Sequence, residues 1–116
     1  MQLNHLDLQV QDIQRTTRFF ERFGFTVTSN AKSPAIAILR GEGGFVLVLQ
    51  RAEGVQYPED FHLGFLVPDR DTVTRMHTEL TAAGEHVSPL EDDARGYRTY
   101  CRHDGLLVEV SCRRQT

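Results

Sequence analysis

The chain has 116 residues, 40% hydrophobic and 25% charged, with a formal net charge of −3 and two cysteines. This slightly acidic balance argues against a nucleic-acid binder, which needs a basic face, and two thiols that form no CxxC pair are too few for a disulfide scaffold. No run approaches the roughly 18 apolar residues of a membrane span, and the start MQLNHLDLQV lacks the basic and continuous apolar stretches of a signal peptide, so a cytoplasmic protein with reduced thiols is expected.

Leu3 to Val10 alternates with period two, which predicts a strand. Leu6, Leu8 and Val10 point one way; His5, Asp7 and Gln9 point the other. Asp12 has the chemistry of an N-cap for a helix from about Ile13 to Phe23. Ile13, Thr16, Phe20 and Phe23 share its buried face, with Phe19 beside them. Gly24 is the expected C′ residue. A short strand over Phe25 to Ser29 follows, then strands over Ala35 to Arg40 and Phe45 to Gln50, joined by the turn Gly41-Glu42-Gly43-Gly44.

Arg51 to Asp60 is polar, carries a Gly and a Pro, and reads as a linker. Phe61 to Val67 is the next strand, with Asp69 or Asp71 capping a helix whose stripe is Val73, Met76, His77 and Leu80. Gly84 closes it. Glu85 to Ser88 is a short strand and Glu91 to Gly96 a polar loop. Tyr97 to Arg102 and Leu106 to Cys112 form a last hairpin around His103-Asp104-Gly105.

The segment NHLDLQVQD, beginning at Asn4, returns as FHLGFLVPD, beginning at Phe61. Each copy is strand-like, has histidine second and aspartate last, and precedes a helical pattern. The chain therefore reads as one βαβββ module used twice, at 1–50 and 61–112 with a linker at 51–60, in a single α+β domain. Modules of this size bury little surface alone, so a core shared between the halves is expected, and with it a possible second chain.

Side-chain parity singles out three polar residues. His5 lies opposite the apolar set of the first strand, and His62 lies opposite Leu63, Phe65 and Val67. Glu109 lies opposite Leu106, Val108 and Val110. A helix covers the cleaner apolar face of each sheet, which leaves these three on the other face. Two imidazoles and one carboxylate form a three-point ligand set for a divalent metal such as Mn, Fe, Ni or Zn, with coordination positions left for substrate.

The last hairpin permits two registers. A three-residue loop at His103-Asp104-Gly105 sets Thr99 opposite Glu109 and turns Tyr97, Thr99 and Cys101 to the metal face; this is the favoured reading. A two-residue Asp-Gly turn instead turns Arg98 and Tyr100 there. Under the first, Tyr97 and Thr99 are candidate substrate contacts, and Asp7 a further contact or base. His77 reads as a packed helix residue, His86 as a surface residue, His103 as an exposed turn residue and Cys101 as a small core residue.

The phrases NHLDLQVQDIQRTTRFFERFGF, FHLGFLVPD and RTYCRHDGLLVEVSC resemble the glyoxalase / bleomycin-resistance / extradiol-dioxygenase group, the vicinal oxygen chelate superfamily. The resemblance implies cup-shaped half-barrel sheets, with modules paired across a homodimer. It places the metal ligands on His5, His62 and Glu109, with His5 from one chain and the other two from its partner. Glu109 is then also the expected catalytic group. Val48 falls where glyoxalase I-type members carry an acidic ligand, and valine can neither bind a metal nor move a proton. The implied activity is divalent-metal Lewis-acid chemistry on a small oxygen-bearing substrate, as a lyase, transferase or dioxygenase. The alternative is a metal-free protein of the bleomycin-resistance type that binds a drug or metabolite.

Overall fold

A computed structural model describes residues 1–28 and 33–114. The chain divides into two compact units, Met1–Val55 and Gln56–Thr116. Among the described residues no helix is long and apolar enough to cross a membrane.

The first unit contains β1 (His5–Val10), α1 (Ile13–Glu21), β2 (Thr26–Val27), β3 (Ile36–Arg40) and β4 (Val46–Arg51), with a short 3-10 turn at Glu42–Gly44. Its sheet order is β1-β4-β3-β2. β1 runs parallel to β4, and the other pairings are antiparallel. Asp12 caps α1 as expected, its carboxylate accepting from the Arg15 amide at 3.0 Å. Gly24 ends the helix with φ of 92°. The Gly24 amide donates to the Glu21 carbonyl and the Phe25 amide to that of Phe20, the paired bonds of a Schellman stop. Thr16, Phe19 and Phe20 are buried against the sheet with Leu8, Leu39, Leu47 and Leu49. Each such apolar side chain stabilises the fold by about 1.5–3 kcal/mol.

The second unit contains β5 (His62–Leu66), α2 (Arg70–Ala82), β6 (His86–Val87), β7 (Glu91–Asp93), β8 (Gly96–His103) and β9 (Leu106–Cys112). Its order, β5-β9-β8-β6, repeats that of the first, again with the first and last strands parallel. Asp69 is the cap, accepting from the Thr72 amide at 2.8 Å. Gly84 ends α2 with the same pair of bonds, from its own amide to Thr81 and from Glu85 to Leu80. Val73, Met76 and Leu80 are buried under α2 with Val108 and Val110. The βαβββ duplication and the α+β class thus hold.

Several boundaries differ from expectation. β1, β3 and β5 start one or two residues later than their apolar patterns, and β2 keeps only Thr26 and Val27 of its expected span; Ser29 of that span lies outside the described residues. Glu91–Asp93 is a strand, not a loop, because it pairs antiparallel with β8. His103 is not exposed. It closes β8, is 2% exposed, and its Nδ1 meets the Glu85 carboxylate at 3.0 Å.

The last hairpin takes the two-residue register. His103 pairs with Leu106, and Asp104 and Gly105 form the turn with φ of 47° and 85°. Positive φ at both turn residues gives a twist that matches the strands. The consequence is that Tyr100, not Thr99, faces Glu109 across the ladder. The physical reason is burial. This register puts Thr99, Cys101 and His103 with Leu106, Val108 and Val110 on the helix-covered face; the other would have put Arg98, Tyr100 and Arg102 there.

Candidate functional site

The face of the second sheet away from α2 carries the polar set. β5 and β9 run side by side in parallel, with His62 paired to Leu107 and Gly64 to Glu109. Alternation puts His62, Gly64, Leu107 and Glu109 on one face. Strand spacing and rise per residue put the His62 and Glu109 backbones about 8 Å apart, within reach of two long side chains converging on one point. Gly64 sits between them without a side chain; a Cβ there would stand 3.8 Å from Glu109 Oε1.

The His62 ring is oriented before any ligand arrives. Its Nδ1 lies 2.8 Å from the Asp60 carbonyl oxygen. A carbonyl only accepts, so Nδ1 donates and the neutral ring keeps its lone pair on Nε2. Metal-binding histidines are commonly fixed this way, by an oxygen on the nitrogen that does not coordinate. In the first unit His5 is exposed and its Nδ1 lies 2.7 Å from Asn4 Oδ1, which selects the same tautomer. An imidazole nitrogen and a carboxylate, which His62 and Glu109 present on one face, are donors that suit a divalent transition metal.

Across β9 from Gly64 stands Tyr100. The Tyr100 phenol is held above its ordinary value, first by the Glu109 carboxylate it faces and then by burial, with the Arg98 guanidinium acting the other way. Arg98 is 5% exposed, and Nη1 and Nη2 donate to the two Asp93 oxygens at 2.8 and 2.7 Å. That pair holds the Asp93 carboxyl well below the usual carboxylate range.

The first unit has the same geometry with different chemistry. His5 pairs with Val46, Asp7 with Val48 and Ile38 with Val48. So His5 corresponds to His62, Asp7 to Gly64, Val48 to Glu109 and Ile38 to Tyr100. Asp7 is exposed beside His5 on the face away from α1. Among the described residues no three His, Cys, Asp or Glu side chains are grouped to hold an ion.

The two expected contacts on β8 lie elsewhere. Thr99 is fully buried on the α2 side, donating to the Ser88 carbonyl at 3.0 Å and lying 3.1 Å from His77 Nδ1. Tyr97 is on that side too, its ring under the Arg70 guanidinium at 4.1 Å. It lines a cleft of about 400 Å³ with Asp69, Asp92, Gly96 and Arg113. The signal that would have found Tyr100 was the Asp-Gly pair, the strongest short hairpin cue in this stretch.

Cys101 is 2% exposed, and burial, helped by the Glu85 charge, pushes its thiol up from 9.0 to about 12. It is expected to resist alkylation by iodoacetamide at pH 8 in the folded protein and to react on unfolding. Because the folded value is the higher one, its contribution to stability is full below the unfolded value and is lost as pH climbs from 9.0 toward about 12. Mass spectrometry after timed labelling checks the first point; prompt labelling of native Cys101 would contradict the burial.

A family model described as Glyoxalase/Bleomycin resistance protein/Dioxygenase superfamily matches residues 2–110. A possible glyoxalase from Bacillus cereus is 32% identical, with a TM-score of 0.87 over 97% of this chain and 99% of that one. A glyoxylase/bleomycin resistance protein/dioxygenase domain from Frankia sp. EAN1pec is 20% identical, with a TM-score of 0.82 over 98% of each chain. FosX, a fosfomycin resistance protein from Listeria monocytogenes, is 18% identical as a mutant complexed with Mn(II) and 1S,2S-dihydroxypropylphosphonic acid. Its TM-score is 0.82 over 97% of this chain and 92% of that one. No curated protein matches the sequence.

Proposed function

Because this chain belongs to the glyoxalase/bleomycin resistance protein/dioxygenase superfamily, we propose that it is a small metal-dependent enzyme acting on an oxygen-bearing small molecule. The observation that carries the reading is the His62 ring, locked with Nε2 as the lone-pair nitrogen, on the same face as Glu109 and one strand away. His62 and Glu109 hold the cation from one chain. His5 of the second chain of a homodimer completes the set, as the resemblance implies. A divalent metal held there, Mn, Fe, Ni or Zn, would supply Lewis-acid polarisation of a substrate oxygen. Glu109 lowers the charge of the site and, as the carboxylate of the ligand set, is the proposed catalytic group. Asp7, two residues from His5 on the same face, is a substrate contact or proton acceptor brought by the first unit. Val48 opposite Asp7 offers no second carboxylate, which disfavours glyoxalase I-type proton transfer and favours a transferase, lyase or dioxygenase outcome.

The test is metal analysis of tag-free protein purified without chelators, followed by titration with Mn, Fe, Ni and Zn. About one equivalent per chain supports the proposal. Less than about a tenth of an equivalent, with no uptake on addition, refutes it and leaves the metal-free binder.

A further inference from the structure

We infer that Tyr100 is a positioning residue for Glu109, itself anchored by the Asp93–Arg98 ion pair, so that the carboxylate is oriented toward His62 before a cation binds. The inference rests on the reading of His62 and Glu109 as metal ligands.

Tyr100 stands directly across the β8–β9 ladder from Glu109, where opposed side chains lie about 4.5–5.5 Å apart at Cβ. Arg98, two residues earlier, shares this face, so a hydroxyl placed between them is set to bridge the Glu109 carboxylate and the Arg98 guanidinium. Arg98 is fixed in turn. Its two terminal nitrogens meet the two Asp93 oxygens, and its Nε lies 3.5 Å from Glu91 Oε2. A guanidinium paired in this forked, planar way has one orientation. The Tyr100 backbone is held as well: its amide donates to Ser88 Oγ at 3.0 Å, and its carbonyl accepts from the Ser88 amide at 2.8 Å.

A glutamate side chain has three rotatable bonds, and a ligand must freeze them unless the protein has done so first. On its other side the strand partner of Glu109 is Gly64, which has no side chain to brace it. The anchoring therefore comes from Tyr100. The duplicated module supplies an internal comparison. In the first unit, where Val48 stands in place of Glu109, Ile38 stands in place of Tyr100. The phenol occurs in the unit that has a carboxylate to hold.

Tyr100→Phe removes the hydroxyl and little else. Two measurements on the 116-residue chain are needed. In the metal-free protein labelled with carbon-13 at tyrosine Cζ, the Tyr100 resonance is expected to move in Glu109→Ala and in Arg98→Lys, with Tyr57 and Tyr97 unmoved. In Mn(II) titrations, Tyr100→Phe is expected to bind about 10- to 100-fold more weakly than wild type at an unchanged thermal midpoint. A Tyr100 resonance that ignores Glu109→Ala overturns the inference, whatever the metal result. So does equal Mn(II) affinity of wild type and Tyr100→Phe. A wild type that takes up no Mn(II), Fe, Ni or Zn while the Tyr100 resonance still responds sinks the metal reading and leaves the Tyr100–Glu109 coupling standing.

Discussion

Glu109→Gln is expected to weaken divalent-metal binding by more than about 100-fold, beyond the 10- to 100-fold typical of an outer hydrogen-bond partner. The substitution keeps volume and an oxygen acceptor opposite Tyr100, and leaves the ladder with Gly64 undisturbed. What it removes is the negative charge, the term that offsets the cation's desolvation. Glu109 is half-buried at a position exposed enough that its neutral amide costs the fold little, within about 0.5 kcal/mol. Isothermal titration with Mn(II) or Zn(II), alongside urea denaturation, separates the two effects. Unaltered affinity would remove Glu109 from the ligand set. Lost affinity together with a comparable loss of stability would mean that the carboxylate is structural.

The largest expected effect on stability is at Gly96. Its φ is 124°, and a Cβ added there would stand 2.2 Å from the Cys112 carbonyl oxygen, a backbone atom that cannot swing aside. Gly96→Ala therefore meets both backbone strain and a steric collision, and should cost about 3 kcal/mol or more. Gly24 provides the contrast. Its φ is also positive, at 92°, but nothing lies within 4 Å of an added Cβ. Gly24→Ala should cost only about 1 kcal/mol. Chemical denaturation of the two variants tests the difference, and equal losses would show that the Cys112 contact yields freely. Displacing the start of β8 would also shift Arg98 and Tyr100, so weakened metal binding should accompany the stability loss in Gly96→Ala alone.

Much of the candidate site was legible because parity along a strand is a local property. His5 and His62 occupy the same slot of the repeated phrase, and each lies opposite apolar residues that a helix must cover. The capping aspartates and closing glycines of both helices were readable for the same reason, since a cap acts within one turn of its helix. The misread portion was the last hairpin. Its loop length decided whether Thr99 or Tyr100 faced Glu109, and one residue of slip exchanges the two faces of a strand. His103 was misjudged with it. In a loop it would be solvated; as the last residue of β8 it is buried and bonded to Glu85.

From the amino-acid order alone came the doubled βαβββ plan, the capping aspartates and closing glycines of the helices and the polar face of each sheet, because alternation, caps and repeats are written within a few residues of one another. The tertiary structure decided what depends on pairing between distant segments. It set the β8–β9 register, the turn of Arg98 and Tyr100 toward Glu109, the Asp60 carbonyl that chooses the His62 tautomer, and the third strand partner of β8. The register and the direction of Arg98 and Tyr100 follow from burying Val108, Val110 and Cys101 under α2 while keeping two arginines out of it, a free-energy balance over the whole unit that no local window contains.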